Sequence, residues 1–205
     1  MSTDFPHRFL PGNGNSRVTL LLLHGTGGSE EDLIPVGRTL MPGAALLSPR
    51  GQVLENGMPR WFRRFAEGVF DIEDLVARSR ELASFVASAA TRYGFDTEHV
   101  VPVGYSNGAN IAASLLLLGL GKFPAAVLFR AMVPLVPEDE PDLSNTRIFV
   151  AAGSRDPMVS TAQTAKLVAL LEAAGAAVQV HFENAGHGLT ESEIAAARDW
   201  LAKEP

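Results

Sequence analysis

The chain has 205 residues, 46% of them hydrophobic and 20% charged, with a formal net charge of −6. This balance describes a folded globular domain long enough to bury a core, which argues against intrinsic disorder and against nucleic-acid binding, a task that needs basic surface. The absence of cysteine excludes disulfides, thiolate metal sites and a cysteine nucleophile. Met1-Ser2-Thr3-Asp4 lacks the features of a signal peptide, and no apolar run approaches the ~18 residues of a membrane span. The expectation is one cytoplasmic domain over residues 1–205, with neither a membrane nor a nucleic acid as partner.

An edge strand around Arg8 to Leu10 is followed by the turn Pro11-Gly12-Asn13-Gly14. Val18 to Leu23 is a continuous apolar run ending at His24-Gly25, the pattern of a strand buried on both faces. Ser29-Glu30-Glu31-Asp32 reads as a helix start with acidic residues in its first turn, and Ala44 to Leu47 as a short strand. Ser48 to Phe70 reads as irregular, rich in Gly and Pro, with Trp61, Phe62, Phe65 and Phe70 among arginines. Such a segment in a small domain tends to be functional, and here it is expected to wall a pocket. The alternative is a surface loop whose aromatics tuck into the core.

Asp71 to Tyr93 is a long amphipathic helix, and Val100 to Val103 a strand. Ala125 to Met132 and Ile148 to Ala152 are further buried strands, and Thr161 to Ala174 is a helix stopped by Gly175. Val178 to Phe182 alternates as the last strand, and Glu191 to Lys203 is the last helix. Strands alternating with helices at this spacing give an α/β fold, a mostly parallel central sheet covered on both faces.

Gly104-Tyr105-Ser106-Asn107-Gly108 lies between the Val100 strand and a strong helix former, Ala109 to Leu116. A Gly-x-Ser-x-Gly on a strand-to-helix turn is the nucleophile elbow, with the serine hydroxyl exposed above the sheet. A serine hydroxyl needs a base within hydrogen-bond reach, and the base needs an acid to orient it. In this fold the chain order is Ser, acid, His. His187, between Gly186 and Gly188, follows the last strand and is the expected base. Asp156 follows the strand Ile148 to Ala152 at its carboxyl end and is the expected acid, with Glu138 to Asp142 as competitors. The oxyanion donors are expected to be the backbone N–H of Asn107 and of Thr26, the latter in His24-Gly25-Thr26-Gly27-Gly28. A phosphate-binding reading of that loop is weak, because it lacks the Gly-Lys-Ser/Thr of a P-loop. Trp61, Phe62, Phe65, Arg63 and Met158 are the expected substrate-binding residues. The aromatics would pack an acyl or aryl group, and Arg60, Arg63 or Arg64 would attract a substrate carboxylate.

Taken as an ordered set, the Leu-His-Gly strand end, the elbow, Gly153-Ser154-Arg155-Asp156 and Gly186-His187-Gly188 resemble the α/β-hydrolase superfamily. Within it, the match is to the small carboxylesterase/phospholipase group related to dienelactone hydrolases and acyl-protein thioesterases. The resemblance implies a sheet of about seven strands, no lid domain, no metal or organic cofactor, and hydrolysis of carboxylic esters or thioesters through an acyl-enzyme on Ser106. It also implies that a homodimer is common among relatives. The sequence departs from relatives that hydrolyse dienelactone itself, which typically use cysteine as nucleophile. A non-catalytic binding module on the same fold and an acyltransferase using the same acyl-enzyme are the alternatives.

Overall fold

Thr19–Leu23 (β2) carries no polar side chain beyond its first residue, and every residue in it is buried. A strand of this kind must be paired on both edges and covered on both faces, and it sits in the interior of a seven-stranded sheet. The computed structural model describes residues 4–14 and 16–203, so the Met1-Ser2-Thr3 start lies outside them. In chain order the elements are β1 (His7–Leu10), β2, α1 (Ile34–Leu40), β3 (Ala45–Pro49), β4 (Val53–Glu55), β5 (Met58–Arg60), β6 (Arg64–Ala66), β7 (Val69–Phe70) and α2 (Ile72–Tyr93). They continue with β8 (Val100–Tyr105), α3 (Asn107–Leu117), β9 (Ala125–Phe129), β10 (Arg147–Gly153), α4 (Thr161–Ala173), β11 (Ala177–Glu183) and α5 (Glu191–Leu201).

The sheet runs β1-β3-β2-β8-β9-β10-β11. Only β1 is antiparallel, paired with β3, and the remaining pairings are parallel. The mostly parallel α/β fold expected from the sequence is therefore the observed one. Leu21 and Leu23 point into a core completed by α2, α3 and α4, through Leu75, Leu82, Ile111, Leu115, Leu167 and Leu171. Leu20 and Leu22 point into a second core, closed by Ile34 and Leu40 of α1 and by Ala197 and Trp200 of α5. After β2 the chain adds β3 on one side, then returns through α2 to add β8 on the other. The crevice at this reversal, beyond the carboxyl ends of β2 and β8, is where open α/β sheets bind ligands.

Helix ends follow their capping residues. Asp71 caps α2 by accepting Asp74 N–H, and Gly94 ends it in the left-handed conformation. Thr190 and Glu193 form a capping box at the start of α5. The first helix departs from the sequence reading. Residues 30–33 form turns and α1 begins only at Ile34, with Pro35 in its first turn. A helix begun at Glu30 would set the Pro35 ring against the carbonyl of Glu31, whereas the first turn accepts proline at no cost.

The Ser48 to Phe70 segment is more regular than its composition implies. It folds as two short antiparallel hairpins, β4–β5 and β6–β7. Asn56 and Gly57 both have positive φ, 51° and 79°, the backbone that a two-residue primed turn requires. Among the described residues, no helix is long and apolar enough to cross a membrane.

Candidate active site

The turn from β8 into α3 is forced by close approach. A Cβ on Gly104 would lie 2.4 Å from Gly108 O, and one on Gly108 would lie 1.9 Å from Leu23 O. Both positions must therefore be glycine for α3 to start this close to β2. The residue between them carries the strain: Ser106 has φ 53° and ψ −118°, outside the regions non-glycine residues favour. Its N–H is held by Phe129 O at 2.9 Å, so the strained residue is pinned to the end of β9. A serine at a helix N-cap normally folds its hydroxyl back onto the first-turn amides. Ser106 makes no such cap bond, and its Oγ instead lies 2.8 Å from His187 Nε2.

On the far side of the ring, His187 Nδ1 lies 2.7 Å from Asp156 Oδ2. The other carboxylate oxygen, Oδ1, accepts Met158 N–H at 2.8 Å and Val159 N–H at 3.1 Å. With both oxygens engaged, the fully buried carboxylate has one orientation available. It fixes the tautomer with the proton on Nδ1, leaving Nε2 to accept from the serine hydroxyl. Three segments from different parts of the chain thus meet in one relay, Ser106 to His187 to Asp156.

The loop after β2 is shaped by His24. Its Nδ1 donates to Gly25 O at 2.6 Å, and its Nε2 accepts Gly51 N–H at 3.0 Å. Burial lowers its pKa from the usual histidine value, which agrees with an Nε2 that accepts a hydrogen bond. In the same loop Gly27 N–H is bound to Pro59 O at 2.8 Å, whereas Thr26 N–H has no acceptor among the described residues. Asn107 opens α3, where first-turn N–H groups lack intrahelical acceptors. Thr26 and Asn107 both border the crevice beside Ser106.

That crevice is shallow, with a cavity volume of about 20 Å³, and Phe70, Met132, Met158 and Val159 contribute to its walls. Of the residues expected to bind substrate, Met158 lies in the wall and is 40% exposed. Trp61 and Phe62 do not, and the expectation for them is corrected. Trp61 is 2% exposed and Phe62 fully buried, both in the core beneath α2. Trp61 supports the site from below: its backbone N–H binds Asn107 Oδ1 and its indole N–H binds His24 O, each at 2.8 Å. Phe65, 77% exposed, and Arg63, 62% exposed and paired with Asp71, lie outside the crevice lining.

Arg60 and Arg64 border the crevice in place of Arg63. Arg60 is buried, donates to Thr26 Oγ1 at 2.8 Å and pairs with Glu55 at 3.4 Å. Arg64 is bound to both Glu55 and Glu67, and its hydrogen bond holds the Glu55 carboxyl below its usual range. A buried cation that the sequence reading passes over, Arg130, also borders the crevice. Its signal was a lone charge inside an apolar run read as one strand, Ala125 to Met132. The strand stops at Phe129, and Arg130 turns with φ 58°.

Residues 65–204 match the family described as "Dienelactone hydrolase family". Over 187 residues, 91% of this chain and 94% of the relative, the sequence is 47% identical to the "Putative hydrolase MhqD" of Bacillus subtilis (strain 168). The crystal structure of the Bacillus cereus carboxylesterase superposes with a TM-score of 0.92 at 49% identity, covering 94% of this chain and 91% of that one. A structure of YahD solved with malic acid superposes with a TM-score of 0.90 at 31% identity, covering 95% and 96% of the two chains.

Proposed function

The chain belongs to the dienelactone hydrolase family and is a hydrolase of carboxylesterase type, and we propose that it is a serine esterase acting through an acyl-enzyme on Ser106. The relay of 2.8 Å and 2.7 Å contacts from Ser106 through His187 to Asp156 carries this reading. His187 Nε2 takes the Ser106 proton as Oγ attacks the ester carbonyl, and Asp156 stays ionised to stabilise the imidazolium. The N–H groups of Asn107 and Thr26 receive the oxyanion, each such donor typically worth about 2.7–4 kcal/mol in the transition state. Collapse of the tetrahedral adduct expels the alcohol, which takes the proton from His187. Water then enters with His187 as base, the carboxylic acid leaves, and Ser106 regains its proton.

The proposed substrates are short-to-medium acyl or aryl esters, whose apolar part would lie along Phe70, Met132, Met158 and Val159 in the open crevice. Glu55 and Glu67 balance the charges of Arg60 and Arg64, which favours a neutral acyl group. A second reading, an ester whose acyl part ends in a carboxylate, draws on the buried guanidinium of Arg60 in the crevice wall and on a relative solved with malic acid.

The test is intact-mass analysis after a fluorophosphonate, beside turnover of p-nitrophenyl acetate, butyrate, octanoate and hemisuccinate. One adduct and ester turnover are expected in the wild type and neither in Ser106→Ala. Unchanged turnover in Ser106→Ala removes the nucleophile assignment. Hemisuccinate turned over faster than butyrate, with the advantage lost in Arg60→Met, selects the carboxylate reading.

A further inference from the structure

The loop that delivers His187 lies close against Gly153, where a Cβ would come within 2.3 Å of Gly186 O, but its other side is open. A Cβ on Gly188 would meet nothing within 4 Å, and one on Gly186 only Arg155 O at 3.9 Å. Gly153 and the Tyr105 ring bound the loop on one side, and hydrogen bonds to its carbonyls complete its placement. Backbone donors reach along the loop as far as Ala185, whose carbonyl accepts Arg155 N–H at 3.0 Å. From there three consecutive carbonyls are each held by a side chain. Gly186 O accepts from Arg130 Nε at 3.0 Å, His187 O from the Tyr105 hydroxyl at 3.1 Å, and Gly188 O from Arg130 Nη2 at 3.1 Å.

Two of those three bonds come from one guanidinium, and that guanidinium is itself aimed. Its backbone leaves β9 in the left-handed region, with the N–H fixed on Ala151 O at 2.8 Å. Glu193 grips it with two oxygens, Nη1 to Oε2 at 2.5 Å and Nη2 to Oε1 at 2.9 Å, and both side chains are fully buried. Glu193 in turn accepts Thr190 N–H at 2.6 Å, which ties the clamp to the first turn of α5. Arg130 Nε also lies 3.9 Å from Asp156 Oδ2, so one planar group references the histidine loop and the aspartate loop to each other.

We propose that Arg130, oriented by Glu193, is a positioning residue that sets His187 in line with Ser106. A buried ion pair is a poor source of stability, since apolar residues of similar volume often replace one without loss. Its rigid fork of donors is what a lysine or an apolar side chain cannot reproduce. Displacing a reacting group by about 1 Å can cost on the order of 10²-fold in rate, so the clamp acts on kcat rather than on substrate affinity. The inference rests on the serine-esterase reading.

The experiment uses the full chain as wild type, Arg130→Met/Glu193→Gln and Arg130→Lys. The double variant removes both charges together, leaving neither buried alone, and the introduced glutamine can still accept Thr190 N–H. Arg130→Lys keeps a cation opposite Glu193 and serves if the double variant does not fold. Competent sites are counted by mass after exhaustive fluorophosphonate labelling, and kcat and KM are then taken per labelled site. The expected result is a fall in kcat per site of about 10- to 100-fold in both variants, with KM within about two-fold of wild type. Wild-type kcat per site in either variant, or a loss that merely follows the number of labelled sites, overturns the proposal. A wild-type protein that takes no label at Ser106 removes the serine reading instead.

Discussion

Gly108→Ala tests whether the elbow is held by steric necessity. The new Cβ would lie 1.9 Å from Leu23 O and 2.5 Å from His24 O, against a normal carbon–oxygen contact of about 3.3 Å. The shortfall, about 1.4 Å, is against backbone at the end of a strand paired on both edges, so no side chain can swing away. The helix must lift off β2, and every residue of α3 is buried. Overpacking typically costs about 1–3 kcal/mol and occasionally more; a rigid backbone obstacle belongs at the top of that range. For a chain of this size about 3 kcal/mol corresponds to a Tm lower by roughly 6–12 °C. Lifting α3 also shifts Ser106 and Asn107, so turnover should fall by on the order of 10²-fold. Gly188→Ala is the matched control, with open space around its Cβ and no left-handed φ; its Tm should be unchanged or slightly raised. Thermal melts followed by circular dichroism, with p-nitrophenyl acetate turnover, decide it. A Gly108→Ala protein that melts within 2 °C of wild type (about the shift from 1 kcal/mol) and keeps its rate would refute the steric argument.

Two further outcomes follow from where the aromatics and His24 sit. Trp61→Ala should cost about 3–5 kcal/mol in urea titration, whereas Phe65→Ala, at an exposed position, should stay within about 0.5 kcal/mol. A Trp61→Ala protein of full stability and raised KM would put the indole back in the pocket. Because burial depresses the His24 pKa below 6.5, the unfolded chain binds that proton first as pH falls. Its contribution is therefore complete above pH 6.5 and declines below it. His24→Gln should lack this part of the decline between pH 7.5 and 5.5, and identical pH–stability curves for the two proteins would exclude the assignment.

Much of the architecture was legible because it is written locally. The apolar run of β2, the spacing along α2 and the capping residues Asp71 and Ser160 each act through neighbours a few residues away. The elbow glycines and the chain order Ser106, Asp156, His187 could likewise be read directly, since close approach and chain order leave marks on residue type. The Asn56-Gly57 turn is a local signal too, but the reading of the Gly- and Pro-rich segment as irregular missed it. What the sequence could not decide depended on partners far along the chain. Whether Trp61 lines a pocket or fills the core is settled by Asn107 and His24, which take its two N–H groups. Whether Arg130 ends as surface charge or as a buried fork depends on Glu193, 63 residues later. A side chain's burial is a property of the surface that covers it, and only the folded sheet brings that surface into place.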